Sequence, residues 1–134
     1  LRVELTAAEV AQTVILTRAP GRTPMPPAED LARLAESRAT MCIYLSTEKI
    51  AELVEILSGP YGSDCPAAVV FHASWPDEKI VRGTLADVAL GCQAEGIRRT
   101  AILLVGRTLK RPASHASRLY DKRFTHGYRQ GTEP

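Results

Sequence analysis

A chain of 134 residues is enough for one domain with a real hydrophobic core and too short for two ordinary ones. Hydrophobic residues make up 45% and charged residues 24%, the balance of a globular protein, and no run approaches the roughly 20 apolar residues of a membrane-spanning helix. A formal charge of +2 is too small to point to nucleic acid, so neither a membrane nor a nucleic acid is expected as a partner.

The chain opens on Leu1-Arg2-Val3-Glu4-Leu5, without Met or a signal-peptide pattern, and the expectation is a piece of a longer protein. Residues 13–17 are apolar and β-branched and predict a first strand, which ends at the breaker-rich stretch from Ala19-Pro20-Gly21 to Pro26-Pro27. A helix is predicted from Pro27, with Leu31, Leu34 and Ala35 on one face and Glu29 and Asp30 in a first turn that favours acid. A second strand follows at residues 41–45. Ser46 is the predicted N-cap of a second helix, whose buried stripe is Ile50, Leu53, Val54 and Leu57 and which is expected to stop at Ser58-Gly59-Pro60.

Residues 67–71, introduced by Pro66, predict a third strand, and residues 79–84 a fourth. The link between them is too short for a parallel crossover, so an antiparallel hairpin is expected. A third helix is predicted over residues 85–94, ended by Gly96. A last strand at residues 101–105 is apolar throughout, as in a strand covered on both faces. The order predicts an α/β domain with a five-stranded mixed sheet, the first three strands parallel, and helices packed on it. The domain is placed at residues 1–109 and a basic C-terminal extension at 110–134, where Lys110, Arg111, Arg118, Lys122, Arg123 and Arg129 crowd. Those cations, with Arg107, read as a solvated, loosely held tail.

Cys42, Cys65 and Cys92 are odd in number and far apart, which argues against a disulfide framework and for a reducing, cytoplasmic setting. His72, His115 and His126 have no partner at metal-ligand spacing, and neither a Walker loop nor a Gly-x-Ser-x-Gly elbow occurs. His72, beside an apolar strand, reads as structural. Gly59-Pro60-Tyr61-Gly62 reads as a turn, and Asp77 and Glu78 as solvated carboxylates. These residue types alone describe an α/β domain without an evident catalytic dyad.

Longer motifs carry a resemblance. Val14-Ile15-Leu16-Thr17-Arg18 with Gly21-Arg22-Thr23-Pro24-Met25-Pro26 opens the series, and Ile43-Tyr44-Leu45-Ser46 follows. Then come Tyr61-Gly62-Ser63-Asp64-Cys65-Pro66, Ala73-Ser74-Trp75-Pro76-Asp77-Glu78 and residues 99–107, with Ser117-Arg118-Leu119-Tyr120 and Gly131-Thr132-Glu133-Pro134 at the end. In this order they resemble the second domain of the S-adenosylmethionine-dependent tetrapyrrole methylases, the precorrin-4 C11-methyltransferases of cobalamin biosynthesis in particular. The resemblance implies a cleft between this domain and a first one bearing a Gly-x-Gly-Pro-Gly-Asp loop, a motif that does not occur in these 134 residues.

It further implies that the last strand runs antiparallel between the second and third. The ends of strands two and three and the start of strand five would then meet at one edge. On periodicity alone Ile43 reads as core, and Ala73 and Thr100 as loop-edge residues. By the resemblance all three match the family positions whose backbone and small side chains hold the adenosine part of S-adenosylmethionine, and Thr17 ends the first strand at the same edge and joins them. Ile43 departs from the Met of many relatives, and Tyr44 from their Gly. Arg18 and Arg22 are candidates for the carboxylates of an anionic tetrapyrrole, through Arg's planar fork. Arg22, in a Gly/Pro-bounded loop, is either such a contact or simply exposed. A homodimer, the absent first domain and precorrin-4 are the implied partners, and this domain alone is expected to be inactive. The competing reading is a non-catalytic dimerisation or interaction domain. A nucleic-acid binder lacks support, since Trp75 is the single tryptophan and no aromatic platform is interleaved with the cations.

Overall fold

A computed structural model describes residues 1, 3–19, 21, 23–44 and 47–110. Five strands form one sheet: β1 (Val14–Arg18), β2 (Thr40–Tyr44), β3 (Pro66–Phe71), β4 (Lys79–Thr84) and β5 (Ala101–Val105), in the spatial order β1-β2-β5-β3-β4. β1 and β2 are parallel, while β5 runs antiparallel to both β2 and β3, and β4 antiparallel to β3. The expected mixed sheet, the central antiparallel β5 and the β3–β4 hairpin are all present.

Alternation along the strands sorts side chains into two layers, because successive residues of a strand point to opposite faces. Met41, Ile43, Val69, Leu103 and Val105 face α1 (Leu31–Ala35), α2 (Ile50–Tyr61) and α3 (Val88–Ala94), which contribute Leu31, Leu53, Leu57, Val88 and Cys92 to the same core. Cys42, Val70 and Leu104 form a smaller cluster on the other face, with Leu1, Leu5 and Leu109 packed against it. This second face leaves Leu16 (66% exposed), Tyr44 and Ile80 open. All three cysteines are buried and free, and burial raises each thiol above its usual range.

The helices depart from the sequence pattern at their ends. Pro27–Glu29 is a separate 3-10 turn, and α1 begins only after Asp30. Asp30 is its N-cap rather than a first-turn acid, since its carboxylate accepts from the N–H groups of Ala32 and Arg33. α2 does not stop at Ser58-Gly59-Pro60 but continues through Pro60 to Tyr61. Proline forfeits one backbone bond there, and the phenol of Tyr61, donating to the carbonyl of Ala39 at 2.5 Å, ties the last turn to the start of β2. Gly62, at φ 83°, then turns the chain out. α3 starts at Val88, three residues late, because Asp87 accepts from the N–H of Thr84 and holds the preceding residues in a turn. The predicted cap Ser46 lies outside the described residues; Thr47–Lys49 forms a 3-10 turn leading into α2.

At the end of the sheet where β2 starts and β5 finishes, Thr40 and Thr108 share a buried hydroxyl–hydroxyl bond of 2.9 Å. Gly106 makes this possible: at φ 155°, a Cβ there would sit 3.1 Å from Thr40 Oγ1 and 3.2 Å from its Cα. Arg107 is not part of a solvated tail. Its guanidinium donates to both carboxylate oxygens of Asp64, at 2.8 and 3.0 Å, and to the carbonyl of Tyr61. The expected basic extension begins with Lys110, the last residue of the 3-10 turn Arg107–Lys110; residues 111–134 lie outside the described set.

Candidate site at the strand ends

The register brings the strand ends together at the opposite end of the sheet. Arg18 stands opposite Tyr44, Tyr44 opposite Ile102, and Phe71 opposite both Ala101 and Lys79. The backbone N–H of His72 donates to the carbonyl of Thr100 at 3.1 Å, which closes the gap between the end of β3 and the approach to β5. Loop residues leaving three parallel strands and entering β5 therefore share one rim. This is where open α/β sheets bind ligands, at a switch in strand order.

The rim also stores backbone strain. Among the described residues five non-glycine residues have positive φ, and three of them are here: His72 at 46°, Ser74 at 68° and Thr100 at 55°. Side chains avoid this region at a cost of about 1–3 kcal/mol each, and it persists where surrounding structure enforces it, often at ligand sites.

Each residue picked out from the sequence has a distinct setting. Ala73 and Thr100 are exposed on the rim. Among the described residues no hydrogen bond engages the N–H or C=O of Ala73, nor the N–H of Thr100. These are the open backbone donors and acceptors that a ligand can use. Ile43 is different: its side chain is wholly buried in the helix-side core, and its backbone lies between Thr17 and Leu103 in the sheet. It forms the floor beneath the rim. Thr17 is half-buried, with its hydroxyl directed to the carbonyl of Arg18.

The guanidinium of Arg18 is turned onto the Gly/Pro loop, donating to the carbonyls of Ala19, Thr23 and Pro24 over 3.3–3.5 Å. Bonds this long are weak. Arg18 thus clamps the loop in this state and borders a hollow of about 340 Å³ with Leu16, Met25, Pro26 and Tyr44. Arg22 lies outside the described residues.

On the helix side of the rim is a cleft of about 630 Å³. Its walls come from the segment after β2 (Thr47, Glu48, Ile50, Ala51), from α3 (Ala89, Leu90, Gln93) and from the approach to β5 (Ile97, Arg98). An apolar lining with a few polar groups and this volume suits a small ligand. The sequence pattern did not mark these residues as a site (Ile50 reads as part of the buried stripe of α2), because they are drawn from three elements and none has unusual chemistry. Two further contacts were missed. Asp77 and Glu78 are exposed but not idle: Asp77 bonds His72 Nδ1 at 2.8 Å, and Glu78 accepts from the N–H of Ser74 at 2.7 Å.

Residues 1–89 match the family model for Tetrapyrrole (Corrin/Porphyrin) Methylases. The chain belongs to the tetrapyrrole methylases. It is 52% identical over 131 residues to a cobalt-precorrin-4 C(11)-methyltransferase of Methanocaldococcus jannaschii, a match covering 97% of this chain and 51% of that protein. It is 48% identical over 131 residues to a precorrin-4 C(11)-methyltransferase of Pseudomonas aeruginosa, covering 98% of this chain and 52% of that one. The chain therefore spans about half the length of the curated relatives it matches. Among solved tetrapyrrole methylases, a cobalt precorrin-4 methyltransferase superposes with a TM-score of 0.77 at 41% identity, covering 81% of this chain and 46% of that one. A uroporphyrin-III C-methyltransferase from Thermus thermophilus, solved with S-adenosylhomocysteine, shares the fold with a TM-score of 0.60 at 20% identity, over 81% of this chain and 48% of that one. Among the described residues no helix is long and apolar enough to cross a membrane, and no group of three or more His, Cys, Asp or Glu could hold a metal ion.

Proposed function

We propose that this chain is the C-terminal part of an S-adenosylmethionine-dependent methyltransferase that methylates C11 of precorrin-4 in cobalamin biosynthesis. The observation that carries the reading is identity near 50%, over almost the whole chain, to two proteins named for that reaction. Their names divide between cobalt-precorrin-4 and precorrin-4, so the reading covers both forms of the macrocycle.

The rim fits the cofactor. Open backbone groups at Ala73 and Thr100 suit a nucleoside, and the adjoining cleft of about 630 Å³ is roomy enough for one. Ile43 supplies an apolar floor and Thr17 the neighbouring strand end. When bound, the sulfonium supplies a methyl group already activated for displacement. The protein's own share is alignment and exclusion of water, which explains a site without a catalytic dyad. Arg18 and Arg22 are assigned to substrate carboxylates. For Arg18 this requires exchanging its weak bonds to loop carbonyls for a charged partner, which forms stronger hydrogen bonds. A homodimer, a first domain with the glycine-rich loop and a cytoplasmic setting complete the proposal.

The test joins this chain to the N-terminal half of the M. jannaschii relative and measures S-adenosylhomocysteine binding by calorimetry and methylation of precorrin-4 by mass spectrometry. Binding and the gain of one methyl group are expected from the fusion, and binding without turnover, if any, from this chain alone. A soluble fusion that neither binds nor methylates would overturn the reading.

A further inference from the structure

His72 reads as structural from the sequence, yet its loop is densely bonded. The His72 ring stacks on Phe71 at 3.7 Å between centroids and 18° between planes, and lies 4.5 Å from Trp75 at 35°. Asp77 holds Nδ1 at 2.8 Å. Trp75 N–H donates to the carbonyl of His72, and Glu78 N–H to that of Trp75, while the Glu78 carboxylate accepts from Ser74. Two residues of this loop, His72 and Ser74, are held at positive φ. The imidazole is fixed in plane and direction.

The remaining nitrogen is the consequence. With Nδ1–H donated to a carboxylate, the neutral ring carries its lone pair on Nε2. No described residue bonds Nε2, and the His72 side chain is 20% exposed, which leaves that lone pair open among the described residues. A carboxylate behind one nitrogen and an open lone pair on the other is the arrangement that metal-binding histidines use; the carboxylate sets the tautomer and strengthens the donor. One histidine cannot hold a free metal ion, and no cluster is present to help it. A metal already ringed by four macrocycle nitrogens needs only one axial donor.

We propose that His72, oriented by Asp77 and flanked by the exposed ring of Trp75, is an axial ligand for the metal ion of a metal-bearing tetrapyrrole substrate. The proposal rests on the tetrapyrrole methyltransferase reading and deepens it: His72 would select the metallated macrocycle over the metal-free one. Nε2 donates its lone pair to an open axial position, displacing water, with no change of oxidation state.

The test uses the full 134-residue chain with two probes, cobalt(III) uroporphyrin and metal-free uroporphyrin. A shift of the cobalt probe's main visible band is expected on adding the chain, with binding at least about tenfold tighter than for the metal-free probe. His72→Ala should abolish the shift while leaving the circular dichroism of the folded chain unchanged, and added imidazole should restore it. Asp77→Asn should weaken it by about 10–100-fold, as outer-shell partners of metal ligands do. Equal affinity for the two probes, or an unaltered shift in His72→Ala, would overturn the proposal. S-adenosylhomocysteine binding, measured on the fusion described above, separates the outcomes. If it fails while the His72-dependent shift persists, the methyltransferase reading falls and the axial contact stands.

Discussion

The two ends of the sheet are built on opposite principles. At one end, Thr40 bonds Thr108, Tyr61 bonds Ala39, and Arg107 grips Asp64 and the carbonyl of Tyr61. At the other, three residues sit at positive φ, and backbone groups of Ala73 and Thr100 stay open. One end satisfies its polar groups; the other leaves backbone groups open at a cost in stability. The difference separates scaffold from site without reference to residue type.

The largest effect comes from breaking the locked end. Burial, with Cys65 adding to it, pushes the Tyr61 phenol up to about 12. Because the folded value lies above the unfolded one of about 10, the neutral phenol is favoured in the folded state. Its contribution is complete below about pH 10 and is lost as pH rises through about 12, at most about 3 kcal/mol. Urea midpoints at pH 8, 10 and 11 should fall across this window. Tyr61→Phe should cost about 1–3 kcal/mol at pH 8, by stranding the Ala39 carbonyl, and should flatten that fall.

The site end should respond with the opposite sign. Thr100→Gly relieves a side chain held at φ 55° and should raise stability by up to about 1 kcal/mol, partly offset by glycine's freedom in the unfolded chain. A destabilised variant in thermal melts would remove the claim that the rim is strained.

Smallest is the exposed ion pair. The hydrogen bond from Arg107 holds the Asp64 carboxyl below its ordinary range, so this contribution is present at neutral pH and lost as pH falls through the lowered value. Asp64→Asn should shift the neutral melting temperature only slightly and should shrink the stability difference between pH 7 and pH 3.

The strands were readable because β-branched and apolar runs with turn residues between them have few other uses: β4 and β5 match to the residue, and the others to within one. Helix ends were less so, since they depend on competition between local bonds. Asp30 caps instead of entering α1, Asp87 delays α3, and the Tyr61 contact carries α2 past Pro60. The rim was visible only through the resemblance, because open backbone groups leave no mark in residue identity. The His72–Asp77 contact was not visible at all. It depends on a left-handed turn at His72 that no composition rule predicts for that residue.

The central place of β5 reaches beyond the site. Residues before Ala101 can form β1–β2 and β3–β4 only as two separate ribbons, since each ribbon's link to the other runs through β5. Two-stranded ribbons are marginal by themselves. The sheet therefore cannot close until residues 101–105 are in place between β2 and β3 and join two halves that are marginal alone. The rim, which needs the start of β5 beside the end of β3, is the product of that insertion.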